Sequence, residues 1–241
     1  MIEARKRGSS SGVIVLIPTY NEVDNIEPLI HSLENQGCIE WIQIVDDNST
    51  DGTLEILSTL QEKYDNLFVH PRPGLLGLGT ALKDGFHLAL ENFPFKRLVQ
   101  MDGDLSHDPN DIPTMLLSGA NVVIGSRYVL GSRIVGWSMY RKLMSRGANF
   151  LARTLLGLRA RDVTSGFRVY SRRAVEIIAE EANCKGYEFQ VEVVWLAEKW
   201  GLDIEEVPIT FTERLRGKSK LRDLSEVKRL ITFVLKKVVS M

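Results

Sequence analysis

The chain has 241 residues, 44% of them hydrophobic and 25% charged, with a formal net charge of −1 and a mean hydropathy of −0.06. This composition excludes disordered, collagen-like and disulfide-scaffold proteins and fits one large domain with an appendage. The near-zero charge is a cancellation: residues 1–125 carry 18 acidic against 8 basic side chains, and residues 126–241 carry 13 against 22. Such asymmetry is a hint of polyanion or membrane contact. Cys38 and Cys184 lie far apart without metal-ligand spacing, which suits a reducing compartment. No apolar run is long enough to span a bilayer. The opening MIEARKRGSSSG has no apolar stretch behind its basic residues and does not read as a signal peptide.

In chain order, Val13 to Ile17 is a β-branched run stopped by Pro18 and predicts a strand buried on both faces. Ile26, Leu29, Ile30 and Leu33 share one helical face within 24–36. The pattern then predicts a strand at 41–45, a helix at 53–63, a short strand at 67–69 and a helix at 78–92. Strands at 98–101 and 122–125 follow. This alternation points to right-handed βαβ units and a largely parallel sheet, whose ligands sit beyond the carboxyl ends of the strands. The polar clusters fall there: TYNE after the first strand, DDNSTDG after the second and DGDLSHDP after the fourth.

The second half differs. Residues 127–140 read as a loop and about 140–158 as a helix. Residues 127–161 hold eight Arg and Lys side chains and no acid. A helix over 187–199, a strand over 204–209 and a mobile basic loop over 211–222 follow. The chain closes with an amphipathic helix whose Leu224, Val227, Leu230, Ile231, Val234, Leu235 and Val238 fall on one side.

Asp102-Gly103-Asp104 directly follows the apolar LVQM. Two carboxylates one residue apart at a strand end can share a hard divalent cation with phosphate oxygens, although an Asp- and Gly-rich surface turn looks the same. Asp47 is placed to accept hydrogen bonds from a base or ribose, with Asp51 as a cap for the next helix. Pro18, Tyr20 and Glu22 supply a rigid turn, a ring for stacking and another carboxylate, and Asn21 reads as a helix cap. His107, followed by Asp108-Pro109, reads as a turn residue. Trp195 and Trp200 read as core. The glycines of 73–82 lack the order of a dinucleotide fingerprint and are expected to permit a loop near the nucleotide.

These blocks resemble, in order and spacing, the family-2 glycosyltransferases of the GT-A fold. GSRYV at 125–129, SRGANF at 145–150, DVTSGFRVY at 162–170, GYEFQVE at 186–192, EVPITF at 206–211 and the pattern from Arg214 to Leu221 are similar to the dolichol-phosphate (polyprenyl-phosphate) mannosyltransferases of that family. The resemblance covers residues 12–225. It implies an α/β, Rossmann-like, mostly parallel sheet flanked by helices. The organisation implied is a flexible N-terminus over 1–11, a catalytic domain over 12–222 and an amphipathic membrane-interface helix over 223–241.

By the same resemblance, Pro18, Tyr20 and Glu22 hold the nucleotide, Asp47 contacts the nucleoside and Val45 lies beside the base. Asp102 and Asp104 bind Mg²⁺ or Mn²⁺ and the diphosphate, with Gly103 at the sugar nucleotide. Asp104, Arg127 and Arg214 are the catalytic groups, and Arg214 and Lys220 close over the diphosphate. Some relatives carry Gln as a further metal ligand where this chain has Ser106. Arg141 and Ser145, one helical turn apart, are expected to hold the acceptor phosphate.

The implied reaction is inverting transfer of mannose from GDP-mannose to dolichyl or polyprenyl phosphate. The alternative is a glucosyl or other sugar transfer from a UDP-sugar. The expected partners are these two substrates, a membrane surface and, in some relatives, small membrane-anchoring subunits; no nucleic acid is among them. The expected location is the cytoplasmic face of a membrane, endoplasmic reticulum in a eukaryote or plasma membrane in a prokaryote, with the basic helix and the closing helix in the interface.

Overall fold

The computed structural model of the protein describes residues 12–213 and 224–239. The strands β1 (Val13–Thr19), β2 (Trp41–Asp46), β3 (Leu67–Pro71) and β4 (Arg97–Gln100) alternate with α1 (Ile26–Glu34), α2 (Thr53–Lys63) and α3 (Leu78–Asn92). After a 3₁₀ turn at Pro109–Asp111 come α4 (Ile112–Leu116), β5 (Val122–Ser126), β6 (Arg133–Val135) and α5 (Met139–Leu156). The chain continues through β7 (Arg168–Ser171), α6 (Arg172–Glu181), α7 (Phe189–Lys199), β8 (Ile204–Pro208), β9 (Thr210–Thr212) and α8 (Leu224–Val239).

Seven strands form one sheet in the order β3-β2-β1-β4-β7-β5-β8, and β6 pairs with β9 in a small second sheet. The β1–β2, β2–β3, β1–β4 and β5–β8 pairs are parallel, so the sheet is mostly parallel as the alternation predicts. β7 is the exception, antiparallel to both β4 and β5. Side chains alternate across a strand, and β1 shows the consequence. Val13, Val15 and Ile17 enter the core shared with α1, α2 and α4, whereas Ile14 and Leu16 enter the core shared with α3, α6 and α7. Burial on both faces explains why β1 reads as a continuous apolar run.

Topology then positions the site. From β1 the chain winds outward to β2 and β3, then returns to β4 on the other side of β1. The crevice opens where the strand order reverses, at the carboxyl ends of β1 and β4. These are the ends that carry Pro18–Glu22 and Asp102–Asp104.

The helices at 53–63 and 78–92 match their predicted bounds. The second half needs correction. The loop expected at 127–140 contains β6, and the basic loop expected at 211–222 begins inside β9. Strand β7 and helices α4 and α6 were not predicted. Asn21 does not cap α1, whose N-cap is Asn25; its side chain instead accepts from Thr50 N at 2.9 Å and its N–H donates to Ser49 Oγ at 2.8 Å. Trp195 packs against the core, but Trp200 is half exposed. No helix among the described residues is long and apolar enough to cross a membrane.

Helix α8 packs on the body: Phe233 and Val234 are buried in the same core cluster as Ala152 and Leu156 of α5. Ile231, Leu235, Val238 and Val239 stay exposed, as do Met139, Tyr140, Leu143, Met144, Phe150, Leu151 and Leu155 of α5.

Helix α3 begins with no side chain between it and the segment before α7. Gly79 N donates to Lys185 O at 2.8 Å, and a Cβ at Gly79 would overlap the carbonyl of Cys184. The expected result for Gly79→Ala is a loss of about 1–3 kcal/mol, read from urea denaturation, because the obstacle is main chain that has no rotamer to yield.

Candidate active site

A cavity of about 520 Å³ occupies the crevice. Pro18, Thr19, Tyr20 and Glu22 line it from the end of β1, Asp47 from the end of β2, and Asp102, Gly103 and Asp104 from the end of β4. Ser106, His107, Arg127, Trp137, Arg141, Thr164, Gly166, Gln190, Phe211 and Arg229 also line it, with Leu75–Leu78, Ala81 and Lys185–Tyr187. Of the sequence-predicted residues, Pro18, Tyr20, Glu22, Asp47, Asp102, Gly103, Asp104, Arg127 and Arg141 are brought together here. Arg214 and Lys220 lie outside the described residues.

The loops are held by hydrogen bonds between the strand ends. Buried Asp46 accepts from Thr19 Oγ1 at 2.7 Å, from Ser49 N at 2.7 Å and from Ser49 Oγ at 2.6 Å. Glu22 N donates to Thr53 Oγ1 at 2.9 Å, and Glu22 Oε2 accepts from Asn25 Nδ2 at 2.8 Å. Asp51 does not cap α2, whose N-cap is Gly52 without a side-chain hydrogen bond; it accepts from Thr53 N at 3.1 Å and Thr53 Oγ1 at 2.6 Å in the turn before the helix. Burial opposes its ionisation, but hydrogen bonds from the Thr53 hydroxyl and the N–H groups of Val23 and Thr53 outweigh this and hold it below the ordinary carboxylate range.

Asp47 is buried, with Oδ1 bonded to Arg72 Nη1 and Oδ2 accepting from Gly77 N at 2.9 Å. Arg72 itself reaches Thr80 Oγ1 at 2.8 Å and Asp84 at 3.0 Å. Gly77 turns there with φ +105°, a region side chains rarely enter. Gly77 therefore allows the loop to close on Asp47. Arg72 was not anticipated. Val45 is corrected: its side chain is fully buried in the core and does not line the cavity.

Asp104 is 4% exposed and accepts from Ser106 N at 3.0 Å. Asp102 is partly open to the cavity. A Cβ on Gly166 would come within 3.1 Å of Asp102 Oδ1, so the glycine keeps the carboxylate's approach clear. Ser106 Oγ is buried with no hydrogen-bond partner, which is costly unless an acceptor or cation arrives. Among the described residues no group of three His, Cys, Asp or Glu forms a metal cage. Two carboxylates and one orphaned hydroxyl match a cation that shares its shell with phosphate and water.

His107 supports this turn. Its Nδ1 accepts from Asp102 N at 3.2 Å while its ring stacks on Phe167 at 5.0 Å and meets Phe211 edge-on at 5.5 Å. Burial pushes the imidazole below its usual range against the pull of Asp102 and Asp104. A neutral ring that accepts at Nδ1 agrees with the reading of His107 as a turn residue.

Arg127 enters the wall already paired. Its Nε and Nη2 meet the two oxygens of fully buried Asp162 at 2.7 Å each, and Nη2 also reaches Thr164 Oγ1 at 2.8 Å. The cation sits 5.5 Å from the ring centres of Tyr128, Trp137 and Phe211. Arg127, expected among the catalytic groups, lines the cavity as a cation braced by Asp162.

Arg141 lines the cavity, stacked 4.5 Å over Trp137 and bonded to Glu213 at 2.5 Å. Ser145, expected to share its ligand, does not line the cavity, and its hydroxyl accepts from Tyr128 at 2.7 Å. The lining at Lys185–Gln190 is held by hydrogen bonds to α7. Glu192 accepts from Asn183 N at 2.9 Å and from Cys184 N at 2.7 Å, and Gln190 accepts from Gln100 Nε2 at 3.1 Å. The sequence signal for this lining was the GYEFQVE block.

A doubly wound sheet with paired carboxylates at its switch point defines a protein that handles phosphorylated ligands beyond its strand ends. The chain belongs to glycosyl transferase family 2, whose sequence profile matches residues 14–179. It is 41% identical over 214 residues to polyprenol monophosphomannose synthase of Mycolicibacterium smegmatis, covering 86% of this chain and 80% of the relative. It is 38% identical over 214 residues to undecaprenyl-phosphate mannosyltransferase of Micrococcus luteus, covering 87% of each. The fold is shared with glucosyl-3-phosphoglycerate synthase of Mycobacterium tuberculosis, solved with Mn²⁺, UDP and glucosyl-3-phosphoglycerate. That match has a TM-score of 0.67 at 21% identity, over 98% of this chain and 86% of the other. The same enzyme with Mg²⁺ and UDP gives 0.67 at 21% over 98% and 85%.

Proposed function

We propose that the protein transfers mannose from GDP-mannose to the phosphate of a polyprenyl lipid at a membrane surface. The observation that carries this reading is Asp102-Gly103-Asp104 in a cavity that Arg141 also lines. The names of the two curated relatives support the sugar and the acceptor.

Asp102 and Asp104 would hold Mg²⁺ or Mn²⁺, with Ser106 Oγ as a third protein ligand. When bound, the cation supplies charge neutralisation to the leaving diphosphate. Tyr20 stacks on the base and Asp47, fixed by Arg72 and Gly77, accepts from the nucleoside. Arg141 attracts the acceptor phosphate. An acceptor phosphate oxygen forms the new bond to the anomeric carbon as the bond to the donor diphosphate breaks, and the electron pair leaves on the diphosphate. That oxygen is already ionised near neutrality, so no general base is required. In-line attack inverts an α-linked donor to a β-linked product. Arg214 and Lys220 are proposed to close over the diphosphate.

The exposed apolar side chains of α5 and α8 beside the basic residues of 127–161 support a peripheral position on the cytoplasmic face of a membrane. The division into a catalytic domain and an interface helix belongs to the same proposal, as does attachment through a small membrane subunit.

The test is transfer of radiolabelled mannose to a short polyprenyl phosphate with a divalent cation, in competition with unlabelled GDP- and UDP-sugars. Displacement by UDP-glucose rather than GDP-mannose would replace the donor. A related expectation concerns Arg72→Met. Removing the group that orients Asp47 raises KM for the donor about tenfold or more with a smaller change in kcat, as loss of an orienting partner does.

A further inference from the structure

A second cleft of about 340 Å³ opens on the basic face and shares no lining residue with the main cavity. Its lining is Tyr128, Arg146, Asn149, Phe150, Arg153 and Arg161. Arg146, Asn149, Phe150 and Arg153 recur along α5 at the spacing of one helical face. Asn149 builds the floor: its Nδ2 donates to Thr164 Oγ1 at 2.8 Å and its Oδ1 accepts from Val163 N at 2.8 Å. The loop that carries Arg161 is fixed through Glu206 of β8, which accepts from the N–H groups of Arg161 and Asp162 at 2.7 and 2.9 Å.

Three features define the ligand. No ion pair joins Arg146, Arg153 or Arg161 to a carboxylate among the described residues; the nearby acids Asp162, Glu206 and Glu198 are spent on Arg127 and on main-chain N–H groups. Arg153 donates through Nη2 to the carbonyl of Arg159 at 3.4 Å, and its Nε is buried without a partner, so no carboxylate among the described residues neutralises its charge. Along the same helix, Leu143 and Phe150 flank Arg146 and are 63% and 68% exposed. Convergent guanidinium groups match a phosphate, and the apolar flanks match acyl chains rather than water.

We infer that this cleft binds the phosphodiester headgroup of an anionic membrane phospholipid, apart from the lipid that accepts the sugar, and orients the enzyme on the bilayer. The inference rests on the membrane reading above.

The test uses the full chain with Arg146→Ala and Arg161→Ala combined, since both side chains are exposed and the fold tolerates their loss. Co-sedimentation is measured with vesicles of phosphatidylcholine alone and with a third of it replaced by phosphatidylglycerol. The expected result is about a fivefold loss of affinity per arginine for the anionic vesicles only, with transfer to a soluble short-chain acceptor unchanged. Equal binding of anionic vesicles by both proteins overturns the inference. So does a melting-temperature rise with inorganic phosphate in the parent alone, unaccompanied by vesicle discrimination, which marks a free-phosphate site. Absence of mannose transfer with the vesicle difference intact defeats the proposed reaction and leaves this site standing.

Discussion

Alanine at Asp104 is expected to lower transfer at saturating donor by about 10³-fold or more, equivalent to about 4 kcal/mol of transition-state stabilisation. Asp104 is the less exposed of the two paired carboxylates and is held by Ser106 N. It is therefore aimed before any ligand arrives, whereas Asp102 is more open. Binding of Mn²⁺ in the presence of a nucleoside diphosphate, followed by electron paramagnetic resonance, should fall with activity. Transfer that survives Asp104→Ala unchanged would remove the cation from the proposal. Ser106→Ala separates two explanations of the orphaned hydroxyl through opposite signs. If Oγ only sits unsatisfied, its removal relieves a desolvation cost and raises the metal-free melting temperature. If it also ligates, the same variant additionally weakens Mn²⁺ binding.

The first half of this chain was legible because its elements are long, periodic and local. β1 and β2 read as buried apolar runs, and α2 and α3 carry their apolar positions at helical spacing. The order of strand and helix then implied where the crevice lies, and the strand-end carboxylates fell into it. The second half was less legible for physical reasons. β6 and β9 have three residues each, too few for a period of two to declare itself. β7 enters the sheet antiparallel between β4 and β5, a pairing over long sequence distance that no local pattern encodes. Helix α6 does carry a signal, with Ala174, Val175, Ile178 and Ala179 on its buried face, but it lay behind a block read for its motif. The largest gap concerns partners. Nothing near Asp47 announces Arg72, and nothing near Arg127 announces Asp162, 35 residues away. Sequence supplies the charges, and topology decides which of them meet.

That last pair carries the second large effect. Asp162→Ala is expected to cost about 3–5 kcal/mol of stability, the usual result of removing one partner from a buried ion pair. For a chain of this size this is a fall on the order of 10 °C in melting temperature. Asp162 is fully buried, accepts from Arg127 Nε, Nη2 and N, and feels the charge of Arg168. Arg168 is itself fully buried, with Nε and Nη1 unpaired. Alanine would thus strand two guanidinium groups at once. Burial alone would raise the Asp162 carboxyl, but Arg127's charge and hydrogen bonds overcome this and depress it. A depressed carboxyl contributes stability that is complete above its unfolded value of ~3.9 and is lost as pH falls through the folded value. The native protein should therefore lose this contribution below about pH 4, whereas Asp162→Asn, which has no proton to gain, should show a shallower acid limb. Urea unfolding across that range measures both. Matching acid limbs, or an Asp162→Ala protein that melts with the parent, would show that Arg127 is held by its aromatic neighbours and Thr164 instead. Arg127 would then owe its place in the cavity wall to those neighbours rather than to Asp162.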